Sequence, residues 1–358
     1  MPDSFLRALS LRLPIVQGPM TGSDTPALAA AVSGAGGLGM LGAGMLSPAA
    51  IAEAAAEVRR RTDQPFGINL FVQDTPTPDT DAVAQALAHL APLYAELGLQ
   101  PAVPARWCED FGAQLEAVLA ARPAVASFTF GLLDATAVAR LQAAGCYVMG
   151  TATTVAEALA WADVGADAVC VSGMEAGGHR GSFLGDFAAS MVTTLALVPA
   201  CVDALRPHGV AVIAAGAIMD GRGIAAVQAL GAQAAQMGTA FLVCPESAIG
   251  SAYRQALAHA SATDTRTTRV FSGRPARAIV NHMAQQLAPF EHSVPAYPVQ
   301  NALTGPLRRA AAQAGRADYL SMWAGQGVAA ARPLPAAALV ALLEQEWRAA
   351  CAALTLRR

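Results

Sequence analysis

The residues best placed for chemistry stand in one short run, "SGMEAGGHRGSF", positions 172–183. Gly177, Gly178 and Gly181 surround His179, with Glu175 and Arg180 close by. Glycines this dense let a main chain lie against a flat ring or an anion. An imidazole among them can donate or accept a hydrogen bond, or move a proton near neutral pH. No second histidine or carboxylate stands nearby at ligand spacing, so no metal is expected. Glu175 reads as a lone carboxylate turned inward to fix the loop, and Arg180 as either a second anion donor or a surface residue. The other histidines carry less. His89 and His259 fall in alanine-rich helical text, His208 in a loop, and His282 and His292 in an irregular region from which His282 could face the same site.

Two further turns suggest what the imidazole stands beside. "AAGAIMDG" puts Gly216 and Ala217 after one apolar run, and "QMGTAFL" puts Gly238 and Thr239 in the next. Paired turns of this kind hold phosphate. Glycine admits close backbone amides, a hydroxyl adds a donor, and a following helix N-terminus adds partial positive charge. That design needs no lysine, and the chain has none: all 23 residues of its Lys-plus-Arg count are arginine. The absence excludes Schiff-base and pyridoxal-phosphate chemistry and the lysine-bearing phosphate loop of ATPases.

Such turns need strands to carry them. Eight apolar runs without polar alternation, at 15–20, 38–43, 66–72, 124–130, 147–151, 168–172, 210–215 and 234–242, read as parallel strands buried on both faces. Between them, stretches such as "PAAIAEAAAEVRRR" and "VAEALAWADVGA" have helical periodicity, with a polar cap before and often a glycine after. Eight βα units in about 240 residues fit a (β/α)8 TIM barrel better than an open doubly wound sheet. Functional residues then follow the C-terminal ends of the strands: Gly18, Pro19 and Met20 after the first, Asn69 at the third, Ser172 at the sixth, and Gln236 and Met237 ahead of Gly238. "GAGGLG", 34–39, matches G-x-G-x-x-G, but it lies between a helical stretch and the strand that follows. That is the reverse of the dinucleotide-binding order, so it reads as an αβ turn. The expected division is a barrel over 1–245, a helical lid or substrate lobe over 246–321, and a return to the barrel over 322–358 with a helix from 335 to about 354.

Composition narrows the class further. With 54% hydrophobic and 14% charged residues, a large core is available. A formal net charge of −3 without a basic stripe argues against nucleic acid. No apolar run reaches the roughly 18 residues of a membrane span, and the start lacks the pattern of a secretory leader. Six scattered cysteines without a C-x-x-C pair read as reduced thiols. A cytoplasmic protein, monomeric or homodimeric, is expected.

Taken together, "PIVQGPM", "GAGGLG", "PFGINLFV", "EAGGHRGSF", "AAGAIMDG" and "QMGTAFL", in this order across essentially the whole chain, resemble the nitronate monooxygenases, formerly called 2-nitropropane dioxygenases. "NLF" with "GGHRG", and the later "YPVQNALT" and "WAGQG", resemble the bacterial-type class I. The resemblance implies an FMN-containing barrel with a helical lobe. It implies oxidative denitrification of alkyl nitronates, such as propionate 3-nitronate, with O2 and one-electron transfer to the flavin, a detoxifying reaction. It makes His179 the active-site histidine. Among the residues at the strand ends it places Asn69, Gly177, Gly216, Gln236, Met237, Gly238 and Thr239 against FMN, with Gly18, Pro19, Met20, Gly178 and Ala217 beside them. Tyr297, Gln300 and Trp323 fall in motifs that line the substrate or flavin region. Ser172 stands where the family usually has glutamine, which alters one flavin contact. Flavin-dependent enoyl-ACP reductases, which take hydride from a nicotinamide, share the "EAGGH" and phosphate motifs, and a non-catalytic flavin-binding barrel is compatible with the same glycines.

Overall fold

The computed structural model describes residues 4–355. Eight parallel strands form one sheet: β1 (Ile15–Gln17), β2 (Gly39–Gly42), β3 (Phe66–Phe71), β4 (Val125–Thr129), β5 (Tyr147–Ala152), β6 (Ala168–Ser172), β8 (Ala211–Ala215) and β9 (Ala234–Met237). The two-residue β7 (Gly178–His179) lies outside it. The order is β1-β9-β8-β6-β5-β4-β3-β2, and its two ends meet. Leu38 N–H donates to Ile15 O and Gln17 N–H to Leu38 O, both at 2.9 Å. The Gln17 side chain completes the seam, its Oε1 accepting from Met40 N–H at 3.0 Å. The chain is therefore the expected (β/α)8 TIM barrel.

Both faces of each strand are apolar for a reason visible in β6. Val169 and Val171 join the layer packed under the helices, while Ala168 and Cys170 fill the barrel interior. The helices start where polar caps precede them. Thr25, Ser47, Asp134, Thr154 and Asp220 each accept backbone N–H bonds at the start of a helix, and proline opens those at Pro26–Gly34 and Pro48–Arg61. The barrel base is closed by the helix Ser4–Ala8, whose Phe5 packs edge-on against Tyr147 with ring centroids 5.7 Å apart. The eighth strand is shorter than expected. It ends at Met237, and Thr239–Leu242 is a four-residue helix, because the chain turns at Gly238 into helical backbone.

A second core stands over one side of the barrel mouth. It joins Val270, Phe271 and Met283 to Leu303 and Leu307 of the helix Val299–Gln313. It also takes Val83, Leu90 and Tyr94 from the helix Thr80–Glu96, which leaves the barrel after β3. The lobe expected over 246–321 thus recruits a helix from outside that span. It is also not purely helical. β10 (Thr265–Thr268) and β11 (Ala276–Ile279) form an antiparallel hairpin, and β11 pairs in turn with β7. That second pairing, Ala276 opposite His179, stitches the loop after β6 into the lobe. The helix Ala336–Thr355 returns against the barrel, packing on Gly221–Ala229 and Pro26–Gly34.

Candidate active site

A cavity of about 460 Å³ opens at the C-terminal ends of the strands, beneath the lobe. Its barrel side is lined by Gly18, Pro19 and Met20 after β1, Asn69 of β3, Ser172 of β6, Gly216 and Ala217 after β8, and Gln236 to Thr239 at β9. Gly177, Gly178 and His179 line it from the loop after β6, and Tyr297 and Trp323 from the lobe. Gln300 does not reach it. That side chain is buried in the lobe, its Nε2 donating to Val270 O at 2.9 Å, and the cavity is met by the next residue, Asn301. His282 points elsewhere, its Nε2 lying 3.0 Å from a Glu96 carboxylate oxygen at the outer edge of the lobe.

The two glycine turns leave adjacent strands, since Ala215 pairs with Gln236. Gly216 has φ +133, a conformation that a side chain resists, and its neighbour Ala217 follows at φ +51. Neither turn offers a long free helix N-terminus. Asp220 already caps Gly221–Ala229 through Arg222 N–H and Gly223 N–H, and the helix after Gly238 is a single turn. What the turns present is main-chain amides, with the Thr239 hydroxyl, which accepts from Gly325 N–H at 3.0 Å and keeps its own proton for a ligand. Nearby, Gln236 Oε1 is buried without a protein partner. Asn69 Nδ2 donates to Ser127 Oγ at 2.9 Å and Thr129 Oγ1 at 3.2 Å, which fixes the amide with its oxygen free.

The loop that carries His179 is clamped at both ends. Glu175 turns inward and accepts from Thr194 N–H and, at 2.8 Å, from Thr194 Oγ1–H. Arg180 is neither a ligand donor nor a surface residue. It is 1% exposed and donates to the carbonyls of Ser172, Gly173 and Ser190 at 2.6–3.0 Å. The adjacent negative charges of Glu157 and Glu175 partly offset the burial, which pulls the Arg180 guanidinium down to about 10. Glu157 holds the far end, accepting from Thr153 N–H, Thr153 Oγ1–H, Phe183 N–H and Leu184 N–H. Gly177 lies where a Cβ would sit 2.5 Å from Gly325 N, so the return segment packs directly on the loop.

His179 is surrounded by rings: Trp323 at 4.9 Å, Phe130 at 5.4 Å and Tyr297 at 5.6 Å between centroids. Phe130 adopts φ +83, unusual for a bulky side chain and the kind of strain that clusters at functional sites. It stacks on Phe71 at 4.3 Å, and the Arg274 guanidinium lies over its ring at 4.1 Å. Burial, together with the positive charges of Arg274 and Arg308, pulls the His179 imidazole down to about 3. The ring is therefore neutral at physiological pH. Its Nε2 lies 2.8 Å from Ser272 Oγ, which itself lies 3.2 Å from Arg274 O. Nδ1 is the nitrogen left to a ligand. The cavity lining includes Arg308 and, among the described residues, no aspartate or glutamate.

Phe71, Phe130, Ser272, Arg274 and Arg308 were not singled out from the sequence. For the two phenylalanines the signals were "NLF" at the end of β3 and "FTFG" at the end of β4; Ser272, Arg274 and Arg308 lie in lobe text with no motif of their own.

Close to the mouth, Asp24 Oδ2 accepts from Met20 N–H and, at 2.8 Å, from Gly42 N–H, so it ties the loop after β1 to β2. Burial pushes this carboxyl up from 3.8 to about 6, against the opposing pull of the two amides. A carboxyl raised on folding favours the folded state while protonated, so this contribution is present below pH 4 and is lost as pH rises to about 6. Asp24→Asn keeps an oxygen for both amides and removes the charge. It is expected to stabilise the protein by up to about 3 kcal/mol above pH 6, with the gain vanishing near pH 4. Thermal melts at the two pH values measure it.

A closed parallel barrel, with a cavity at its C-terminal mouth lined by His179, Arg308 and paired glycine turns, has the arrangement in which barrel enzymes place their active sites. The chain belongs to the nitronate monooxygenase family: the family's sequence model matches residues 3–346. It is 44% identical over 358 residues to the nitronate monooxygenase of Pseudomonas aeruginosa, covering 97% of this chain and 100% of that one. It is 41% identical over 327 residues to a probable nitronate monooxygenase of Staphylococcus haemolyticus, covering 90% and 91%. Among solved structures it is similar to nitroalkane oxidase from Streptomyces ansochromogenes, with a TM-score of 0.90, 41% identity, and 98% of this chain and 100% of that one covered. FabK from Thermotoga maritima aligns over both whole chains with a TM-score of 0.78 and 28% identity. The protein is an oxidoreductase of the nitronate monooxygenase type. No helix among the described residues is long and apolar enough to cross a membrane.

Proposed function

We propose that this enzyme is FMN-dependent and denitrifies alkyl nitronates of the propionate 3-nitronate type with O2. The observation that carries the reading is the charge pattern of the cavity: a half-buried arginine, a neutral histidine and, among the described residues, no carboxylate, beside two amide-rich turns. The fit to FMN rests on the residues themselves. Gly216, Ala217, Gly238 and Thr239 would hold the phosphate through backbone amides and a hydroxyl, as a chain without lysine requires. The partnerless Gln236 Oε1 and the free oxygen of Asn69 would meet donors on the ring edge. Ser172, on β6 beside Ala215, leaves more room there than the family's glutamine. When bound, FMN supplies the electron acceptor and the reaction with O2.

The chain's own residues bind and orient the anion. Ser272 can send its proton to His179 Nε2 or to Arg274 O, so it sets which ring nitrogen carries hydrogen. With Ser272 donating to Nε2, Nδ1–H points a hydrogen bond at the nitro oxygens of a nitronate. With Nε2–H donating to Ser272, Nδ1 is a base for the α-proton of a neutral nitroalkane. Phe71, Phe130, Tyr297 and Trp323 strengthen these interactions by excluding water.

The test is the visible spectrum of the purified protein, followed by oxygen uptake with propionate 3-nitronate and by anaerobic mixing. The expected results are a bound-flavin spectrum, oxygen consumption, and bleaching by the nitronate but not by NAD(P)H. Bleaching by NAD(P)H alone would make it a reductase, and a colourless protein that cannot be reconstituted would remove the flavin altogether.

A further inference from the structure

Arg274 carries a charge that its hydrogen bonds do not need. It stands at the entry to β11, half-buried, and does not itself line the cavity. Nε–H donates to Arg180 O at 3.0 Å and Nη2–H to Ser182 O, so one fork clasps the main chain on both sides of Gly181. Arg180 N–H returns a bond to Pro275 O at 2.8 Å. The partners of the fork are neutral carbonyls, which a side-chain amide could equally meet. Among the described residues no ion pair includes Arg274. Glu157, whose field reaches it, accepts instead from Thr153, Phe183 N–H and Leu184 N–H. Taking a guanidinium out of water without a counter-ion is costly, and a loop clasp alone does not explain that cost.

Three of its contacts converge on His179. The clasped loop is the one that carries the ring. Ser272 Oγ, 2.8 Å from Nε2, lies 3.2 Å from Arg274 O and 3.4 Å from Arg274 N. The guanidinium also covers one face of Phe130 at 4.1 Å, while Phe71 stacks on the other at 4.3 Å. Behind Phe71 stands Gly44, where a Cβ would lie 2.3 Å from that ring, so the stack has no slack. Phe130, at φ +83, keeps its strained backbone because this stack leaves it no alternative, and its ring stands edge-on to the imidazole at 5.4 Å. The charged groups whose fields reach the imidazole are Arg274 and, from the lobe helix, Arg308; both oppose a second proton on it. Tyr297 also faces the ring, with a hydroxyl that burial pushes up. Glu157 lies on the far side of Arg274, and Arg180 is turned under the loop. Resting on the nitronate reading above, we infer that Arg274 is a positioning residue: through the loop it clasps, the Phe130 ring it covers and the charge it sets behind them, it keeps His179 in one orientation with Nδ1 open to the substrate.

Arg274→Gln keeps a donor for the loop and removes the charge, whereas Arg274→Lys keeps the charge and loses the fork. Arg274→Met is a second neutral variant should the glutamine be unstable. One readout needs no turnover: NMR of the purified protein labelled in its histidine rings, with His179 identified by the signal that His179→Asn removes. In the wild type the ring should hold one tautomer and take up no proton between pH 8 and 5. The neutral variants should raise its titration midpoint by about 2 pH units from about 3, so that protonation shows toward pH 5, while Arg274→Lys stays close to the wild type. The other readout is kcat/KM for 1-nitropropane, which must give up a proton, beside propyl-1-nitronate, which need not. At pH 8 every variant should lose about tenfold or less with both substrates. Between pH 8 and 5 only the neutral variants should lose a further factor of about 2 or more with the nitroalkane, as the base is protonated. A ring that titrates alike in all the proteins, or equal losses without pH dependence in neutral and charged variants, would overturn the assignment. A shifted titration without turnover of any nitronate would keep the role of Arg274 beside His179 and sink the nitronate reading; turnover with an unmoved ring would do the reverse.

Discussion

Gly238→Val should yield a well-folded protein that is purified colourless. A Cβ built on Gly238 meets only the Met20 side chain, at 3.9 Å, and the rest of its surroundings is the cavity. The backbone there, φ −94 and ψ −67, suits any L-residue. The substitution therefore strains no turn and displaces no core side chain; its methyls project where the phosphate would lie. Overfilling a close-fitting site costs about 1–3 kcal/mol, which weakens FMN by up to about 100-fold. The measurements are the flavin absorbance of the purified variant, its FMN Kd on reconstitution, and its melting temperature without flavin, which should match the wild type stripped of flavin. Gly221 supplies the contrast. A Cβ there would lie 2.1 Å from Trp347 N, under the C-terminal helix, so Gly221→Ala should lower the melting temperature through packing instead. Full flavin occupancy in Gly238→Val would remove these turns from the binding site.

The barrel and its glycine turns were readable because they depend on local text: apolar runs, caps, and small residues at strand ends. "PAAIAEAAAEVRRR" spans the helix Pro48–Arg61 end to end because Ser47 caps it and proline opens it. The loop around His179 was readable for the same reason. The lobe was not, since its parts meet across long sequence separations. β10 pairs along "TRTT", whose β-branched residues signal a strand, yet the surrounding polar text reads as irregular. Gln300 and Asn301 stand side by side in one motif, but helical rotation sends Gln300 into the lobe and Asn301 to the cavity. Arg308 and Arg309 are alike in sequence; one lines the cavity and the other is exposed. Arg180 resisted both readings given to it because its partners, the carbonyls of Ser172, Gly173 and Ser190, exist only once the loop has folded back. Local pattern thus specifies the side of the site that would hold the cofactor, and tertiary packing specifies the side that would select the substrate.

His179→Asn should keep the flavin and lose the chemistry, by different amounts for two substrates. Asparagine cannot span the distance to Ser272 that the imidazole bridges at 2.8 Å, so the tautomer control is gone. It can still offer an amide near the position of Nδ1, but it cannot act as a base. A preformed nitronate needs only orientation and a hydrogen bond, and loss of one well-aimed donor costs roughly 10²-fold. A neutral nitroalkane must first surrender a proton, so the variant also loses general-base catalysis, a further 10²–10⁴-fold in typical cases. The ratio of the two rates is the informative quantity. Oxygen uptake with propyl-1-nitronate and with 1-nitropropane, measured on wild type and variant at one pH, should show the nitroalkane rate falling at least about 100-fold more than the nitronate rate. Equal falls would mean that the ring serves orientation alone, and an unchanged nitronate rate would remove His179 from the site. Ser272→Ala gives the intermediate case. It leaves the imidazole in place and frees its tautomer, so both rates should drop by about tenfold or less, the scale of a single neutral hydrogen bond, with no change in their ratio.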